Sequence, residues 1–157
     1  MRTTAKVDYA VRAALELARA QGPTGARGRP VKGHDIAAAQ SIPGKFLETI
    51  LGELKRSGIV ASQRGAEGGY WLARPATEVR VADIIRAVEG PLADVRGERP
   101  ESLDYGDDLE ALQRMWIAVR ANLRAVLEHV TVAHLRDGTL PGDVDALADN
   151  PDAWEIH

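Results

Sequence analysis

Cysteine is absent from this 157-residue chain. Its absence excludes disulfides, thiolate nucleophiles, Cys-based zinc sites and thiolate-held iron–sulfur clusters together. Aromatic residues are scarce, at 4% against 45% hydrophobic residues, so the core must be built from Ala, Val, Leu and Ile. No apolar run approaches the roughly 20 residues that a membrane-spanning helix needs. The start, MRTTAKVDYAV, lacks an apolar stretch followed by a small-residue cleavage site, so a cytoplasmic protein without a membrane partner is expected. Histidines number four, His34, His129, His134 and His157, and no two of them have the i, i+4 spacing of a helical metal pair. Neither a Ser/His/Asp grouping nor a paired-carboxylate constellation stands out, and the glycines of QGPTGARGRPVK have the wrong spacing for a phosphate loop. An enzyme is therefore not expected, nor a bound metal or other cofactor.

What is present is an asymmetry of charge. The net charge is −3, but residues 1–80 carry 13 Lys+Arg against 7 Asp+Glu while residues 81–157 carry 7 against 16. A basic front half and an acidic back half suit a nucleic-acid-binding module joined to a module of different purpose. The length allows one compact core, or a small domain with an added helical element.

Val7, Ala10, Val11, Ala14, Leu15 and Ala18 recur at three- and four-residue spacing, which predicts a helix from Thr3 to about Ala20, stopped by Gly22-Pro23. The Gly-, Pro- and cation-rich stretch after it reads as an exposed loop. A short helix from His34 to Gln40 follows, with Ile36, Ala37 and Ala39 inward. A break at Ser41-Ile42-Pro43 leads to a second helix with Phe46, Leu47, Ile50, Leu51 and Leu54 inward, Pro43 fitting its first turn. Helix, tight break, helix is the plan of a helix-turn-helix. Directly behind it, IVASQR-GAEGG-YWLARP reads as strand, glycine-rich tip and strand, a hairpin in the place of a wing. Val81, Ile84, Ile85 and Val88 predict one more helix, closed by Gly90-Pro91.

From Asp107 to about Val130, Leu109, Leu112, Trp116, Val119, Leu123, Val126 and Val130 alternate three- and four-residue steps over three heptads. That is a coiled-coil-like seam on a helix of roughly 35 Å, at about 1.5 Å per residue. Such a stripe needs a partner, either a second copy of the chain across a two-fold axis or the first domain itself. Thr131 suits the cap of a last short helix, and the acidic remainder reads as a loose tail.

Four segments in this order carry a family resemblance: TAKVDYAVRAALELA, DIAAAQSIPGKFLETILGELKRSGIV, SQRGAEGGYWLARP and VADIIRAVEGP. The chain resembles the Rrf2 family, the IscR, NsrR and CymR group of regulators, over residues 1 to about 91, and the long helix extends the likeness to about Leu135. The expected fold is mainly α with a small β-hairpin wing, a winged helix-turn-helix at 1–91. A linker at 92–106, a dimerisation helix at 107–136 and an acidic tail at 137–157 follow. Ser41 stands where many members have Gly.

The resemblance implies a transcription regulator, usually a repressor, that binds double-stranded DNA as a homodimer on a pseudo-palindromic operator. In a helix-turn-helix the front of the second helix meets base edges in the major groove. Here its exposed front comprises Gly44, Lys45, Glu48 and Thr49. Glu48 matches a base-reading position of relatives, where a carboxylate accepts from cytosine N4, and a solvated helix residue is the other reading of it. Arg64 matches a minor-groove arginine at the wing tip, set among Gly65, Gly68 and Gly69. Lys6, Tyr9, Lys55 and Arg56 are candidates for phosphate contacts or for ordinary polar roles.

Cluster-binding members carry three cysteines between the fourth helix and the dimer helix. This chain has Gly97 near the first such place and Glu110 near the third, with Gln113 where some members supply a histidine. Asp8 matches an acid that ligates in certain members, but one carboxylate without thiolates does not hold iron sulfide, so it reads as a surface or salt-bridge residue. Signal input through the linker and long helix is expected instead, from a small molecule or a protein effector.

Overall fold

Thr4 opens the first helix. Its hydroxyl accepts the Val7 N–H at 3.3 Å, satisfying one of the unpaired first-turn donors. Helix α1 runs Ala5–Gln21 in the computed structural model, which describes residues 3–156. Its buried face is Val7, Ala10, Ala13, Ala14, Leu17 and Ala18, so the stripe is turned relative to the expected one and Val11 and Leu15 are only half-buried. Alanines on both sides of the stripe leave its centre open to choice by packing. Ala10, Ala13, Ala14 and Ala18 are each 0% exposed, and their small side chains let α3, α4 and α6 approach the α1 backbone.

The expected loop after α1 is held at both ends. Val31 donates to the Tyr70 carbonyl at 2.8 Å and accepts from the Tyr70 N–H at 2.7 Å, adding a rung to the wing. Gln21 is buried, yet both ends of its amide are paired: Oε1 accepts the Ala76 N–H at 2.8 Å, and Nε2 donates to the Arg74 carbonyl at 3.2 Å. That staple ties α1 to the segment behind the wing without an unpaired polar atom.

Helix α2 is Gly33–Gln40 and buries only Ile36 fully; Ala37 is half-buried and Ala39 is exposed, because so short a helix has one narrow contact face. Ser41 then takes the left-handed conformation, φ +53°. Helix α3, Gly44–Arg56, buries Leu47, Ile50, Leu51 and Leu54, while Phe46 is half-buried; Pro43 stands just before the first turn rather than within it. Strands β1 (Val60–Gln63) and β2 (Gly69–Leu72) pair antiparallel, with Val60 opposite Leu72 and Gln63 opposite Gly69. Helix α4, Val81–Glu89, buries Val81, Ala82, Ile84 and Val88.

The back half departs most from expectation. The linker is anchored by buried Leu92, Pro100 and Leu103. Helix α5 spans Glu110–Leu127 and has no buried residue. Helix α5 ends short of the expected Val130, and the short helix expected behind Thr131 completes the span 107–136. After α5 the chain turns, Val81 donates to the Val130 carbonyl and Val132 to the Val79 carbonyl, both at 2.9 Å, and α6 (Val132–Asp137) begins with Thr131 as its cap. Val132 and Ala133 enter the main core with α1. The tail is not loose either: α7, Gly142–Ala148, buries Val144 against Val81 and Val130. Apolar side chains on an otherwise acidic segment explain both corrections, since the first domain offers them a dry surface. Among the described residues no helix is long and apolar enough to cross a membrane.

Candidate nucleic-acid interface

Helix α3 is docked by one face and leaves the other free. Gly44, Lys45, Glu48 and Thr49 are all exposed, opposite the buried Leu47, Ile50 and Leu51. The Thr49 hydroxyl donates back to the Lys45 carbonyl at 3.3 Å. Behind the start of this helix, the half-buried Tyr9 ring meets Phe46 edge-on at 5.7 Å, and the Arg12 guanidinium lies 5.6 Å from the Tyr9 ring. Tyr9 is thus a buttress between α1 and α3 as well as a candidate phosphate contact. Arg12 donates to the Gln40 carbonyl, to Gln40 Oε1 at 3.0 Å and to Asp8 at 3.1 Å, joining α1 to the end of α2 just before the turn. Asp8 is a salt-bridge partner.

Lys6 is engaged within the protomer. Its ammonium pairs with Glu53 at 2.9 Å and donates to the Val88 carbonyl at 2.7 Å, clasping α1, α3 and α4 together. These two bonds use two of the three ammonium donors, so Lys6 has a structural role beside its candidacy as a phosphate contact.

In the wing, Arg64 is exposed at the tip and Gly65 takes φ +105°. Gly68 and Gly69 are buried. A Cβ on Gly68 would lie 2.1 Å from the Gln63 carbonyl oxygen, and one on Gly69 would lie 2.7 Å from that of Val31. These glycines let three backbone segments close together, and so shape the loop that carries Arg64. Two lysines cross-link the wing: Lys32 donates to the Gly65 carbonyl at 2.7 Å, and Lys55 donates to Ser62 Oγ at 2.8 Å. Lys55 and its neighbour Arg56 are exposed at the end of α3.

Sequence reasoning missed Arg27. Its guanidinium sits 4.0 Å from the Trp71 ring centroid and donates to Gln63 Oε1 at 3.4 Å, bringing a cation from the α1–α2 loop onto the flank of β2. The cation-rich composition of that loop was a signal, but the pairing partners lie some forty residues away.

Most of the seam lies along α5, and part of it faces the protomer: Val126 packs against Val81, Val130 and Val144, and Leu123 lines a cleft with Val7, Ile85 and Leu92. Leu109 is 47% exposed, Leu112, Trp116, Val119, Leu123 and Val126 are half-buried, and Met115 and Ile117 add further exposed apolar surface. Val130 does not belong with them: it is 5% exposed, packed against Val81 and Val144 within the protomer.

The donor set around the linker does not fit an iron–sulfur group. No thiolate exists in the chain. Gln113 Nε2 donates to the Leu103 carbonyl at 2.7 Å and to the Pro100 carbonyl at 3.2 Å, fastening the linker to α5. The described histidines are separately engaged: His34 with Asp35 at 3.1 Å, His129 with the Ala125 carbonyl, and His134 Nδ1 accepting the Thr131 N–H at 3.1 Å. His157 lies outside the described residues. Among the described residues no three His, Asp or Glu side chains converge.

Comparison with known proteins places this geometry in a family setting. A profile of the Rrf2 family, described as an iron-dependent transcriptional regulator, matches residues 3–138. An HTH-type transcriptional regulator of Mycobacterium tuberculosis is 48% identical over 155 residues, covering 99% of this chain and 93% of that protein. CymR of Bacillus subtilis is 31% identical over 141 residues, covering 88% of this chain and 92% of that protein. Among solved structures, CymR, the global cysteine regulator of B. subtilis, superposes with a TM-score of 0.71 at 29% identity over 88% of this chain and 98% of that one. IscR of T. potens gives 0.66 at 30% identity, over 100% and 93%.

Proposed function

This chain belongs to the Rrf2 family of DNA-binding transcriptional regulators, and from that premise we propose that it is a cytoplasmic homodimeric repressor working without an iron–sulfur cluster. It is a regulator and not an enzyme. Two recognition helices and two wings would meet a pseudo-palindromic operator whose half-sites lie about one helical turn apart. Glu48, Lys45 and Thr49 would address base edges in the major groove, Arg64 would enter the minor groove, and Lys55 and Arg56 would hold phosphates.

The observation that carries the dimer is α5, eighteen residues long with an apolar seam and no buried side chain. A helix in that state gains its burial from a second copy, and pairing along Trp116 and Leu123 sets the distance between the two recognition helices. Sedimentation of the purified protein tests this part, since a protomer at micromolar concentration contradicts it. Genome-wide selection of bound fragments tests the rest, with an inverted repeat as the expected outcome and unselective recovery as the contrary one. Protein made anaerobically with iron and sulfide supplied should be colourless, because no thiolate is available to hold a cluster.

A second reading, control by a protein partner, is favoured by the exposed Leu147, Trp154 and Ile156 on the acidic C-terminal segment. Co-purification of a partner that is lost on truncation after Asp137 would support it.

A further inference from the structure

Between α4, the linker and α5 lies a cavity of about 210 Å³ whose walls bring together Arg86, Arg99, Arg120 and Arg124. Four guanidiniums around one small space repel each other, and the chain offsets that repulsion only in part. Glu128 is shared by Arg86 and by Arg124, the latter at 3.1 Å, and Glu101 is taken by Arg120. Arg99 makes no ion pair among the described residues, and Asp94 is the one carboxylate in the wall itself. Asp83, shared with Arg74, also lies 3.9 Å from Arg86, so the four cations face four carboxylates, one of them shared, and the surplus is of N–H donors, because each guanidinium presents a fork of them. Leu92 and Pro91 give the cavity an apolar side. Beside them, Ala93 holds φ +50° and Arg96 φ +56°, a conformation that costs a residue with a Cβ and that collects at ligand clamps.

We propose that this cavity binds a small organic anion bearing several carboxylate or phosphate oxygens, and that such an anion is the effector of the regulator. The volume suits a metabolite rather than a macromolecule. Bidentate guanidinium pairs would recognise its oxygens, Arg99 supplying donors that no carboxylate among the described residues occupies. Arg120 and Arg124 each follow a seam residue, Val119 and Leu123, on the same helix. An anion drawing these two arginines towards Arg86 and Arg99 moves the seam relative to α4, and with it the separation of the recognition helices. This consequence rests on the dimeric-regulator reading; the binding itself does not.

The test is calorimetric titration of the DNA-free full chain with citrate and, separately, with glycerol 3-phosphate, at a fixed ionic strength of about 0.15 M set by chloride. Saturable binding of at least one probe is expected, the two arms telling carboxylate from phosphate recognition. Arg99→Ala and Arg120→Ala should each weaken it by about tenfold or more, the scale of lost charge-assisted hydrogen bonds. Asp94→Asn should tighten it about threefold by removing a competing charge, a gain that misfolding cannot mimic. Saturation by neither probe, or equal affinity in the wild type and Arg99→Ala, overturns the proposal. Because DNA is absent, such a failure is separate from any failure to bind an operator.

Discussion

Helices α1 and α5 are nearly the same length, seventeen and eighteen residues, and both carry an apolar stripe at helical spacing. One is the centre of the core, while the other has no fully buried residue. The stripe of α1 is made of alanine with Val7 and Leu17, so α3, α4 and α6 of the same chain close on it. The stripe of α5 is made of Leu, Val and Trp116 and is only partly covered: Val126 and Leu127 pack against the cluster of Val81, Val130 and Val144, while Leu112, Trp116, Val119 and Leu123 are half-buried. Equal periodicity thus says that a helix has a face to hide, while how far that face is covered within the protomer depends on what the rest of the chain brings against it.

This contrast can be broken by experiment. Leu54→Ala in the core should cost the protomer about 2–5 kcal/mol in urea unfolding, the range for truncating a fully buried leucine. Trp116→Ala on α5 should weaken dimerisation by about 2–4 kcal/mol in sedimentation while leaving the far-ultraviolet spectrum of the dissociated protomer helical. Should Trp116→Ala unfold the chain as Leu54→Ala does, α5 belongs to the protomer core and the distinction fails. On the nucleic-acid side, Arg64→Ala should lower operator affinity by about 1–3 kcal/mol, and Lys55→Gln should reduce the salt slope of binding by about one. Lys6→Gln should leave that slope unchanged, because its ammonium is committed to Glu53 and Val88.

The smallest effect expected is of pH. Hydrogen bonds from Arg86 and then Arg124 hold Glu128 below the ordinary value of 4.5, and Arg120 does the same for Glu101. A carboxyl whose pKa is lower in the folded chain adds stability above its unfolded value, and that stability is lost as pH falls through the folded value. The α4–α5 contact should therefore loosen on acidification below about 4.5, a modest change because these groups are partly exposed. A melting temperature measured against pH should show this dependence, and Glu128→Gln should flatten it.

Much of the plan was legible in the chain alone. The helix-turn-helix, the hairpin behind it and the Thr131 cap arise from local pattern: apolar spacing, Pro43 before a helix, glycines at a tip. Ser41 was noted only as a departure from glycine, and its φ of +53° gives the reason that glycine suits that turn. The candidate site was legible where exposure follows from helical phase, as at Lys45, Glu48 and Thr49. Its surroundings were not legible where a side chain or backbone meets something remote, as with Lys6 reaching Glu53 or Gly69 meeting Val31.

By itself, the order of residues determined the secondary structure of the front half, the charge division between the halves and the exclusion of thiolate chemistry, since each depends on composition or on neighbours within a few positions. Only the tertiary structure decided that the apolar run ending near Val130 splits, that the tail returns to cover Val81, and that four arginines from three separate segments share one cavity. Those outcomes depend on which surfaces meet across long stretches of chain, where burial and pairing energies, rather than local propensity, make the choice.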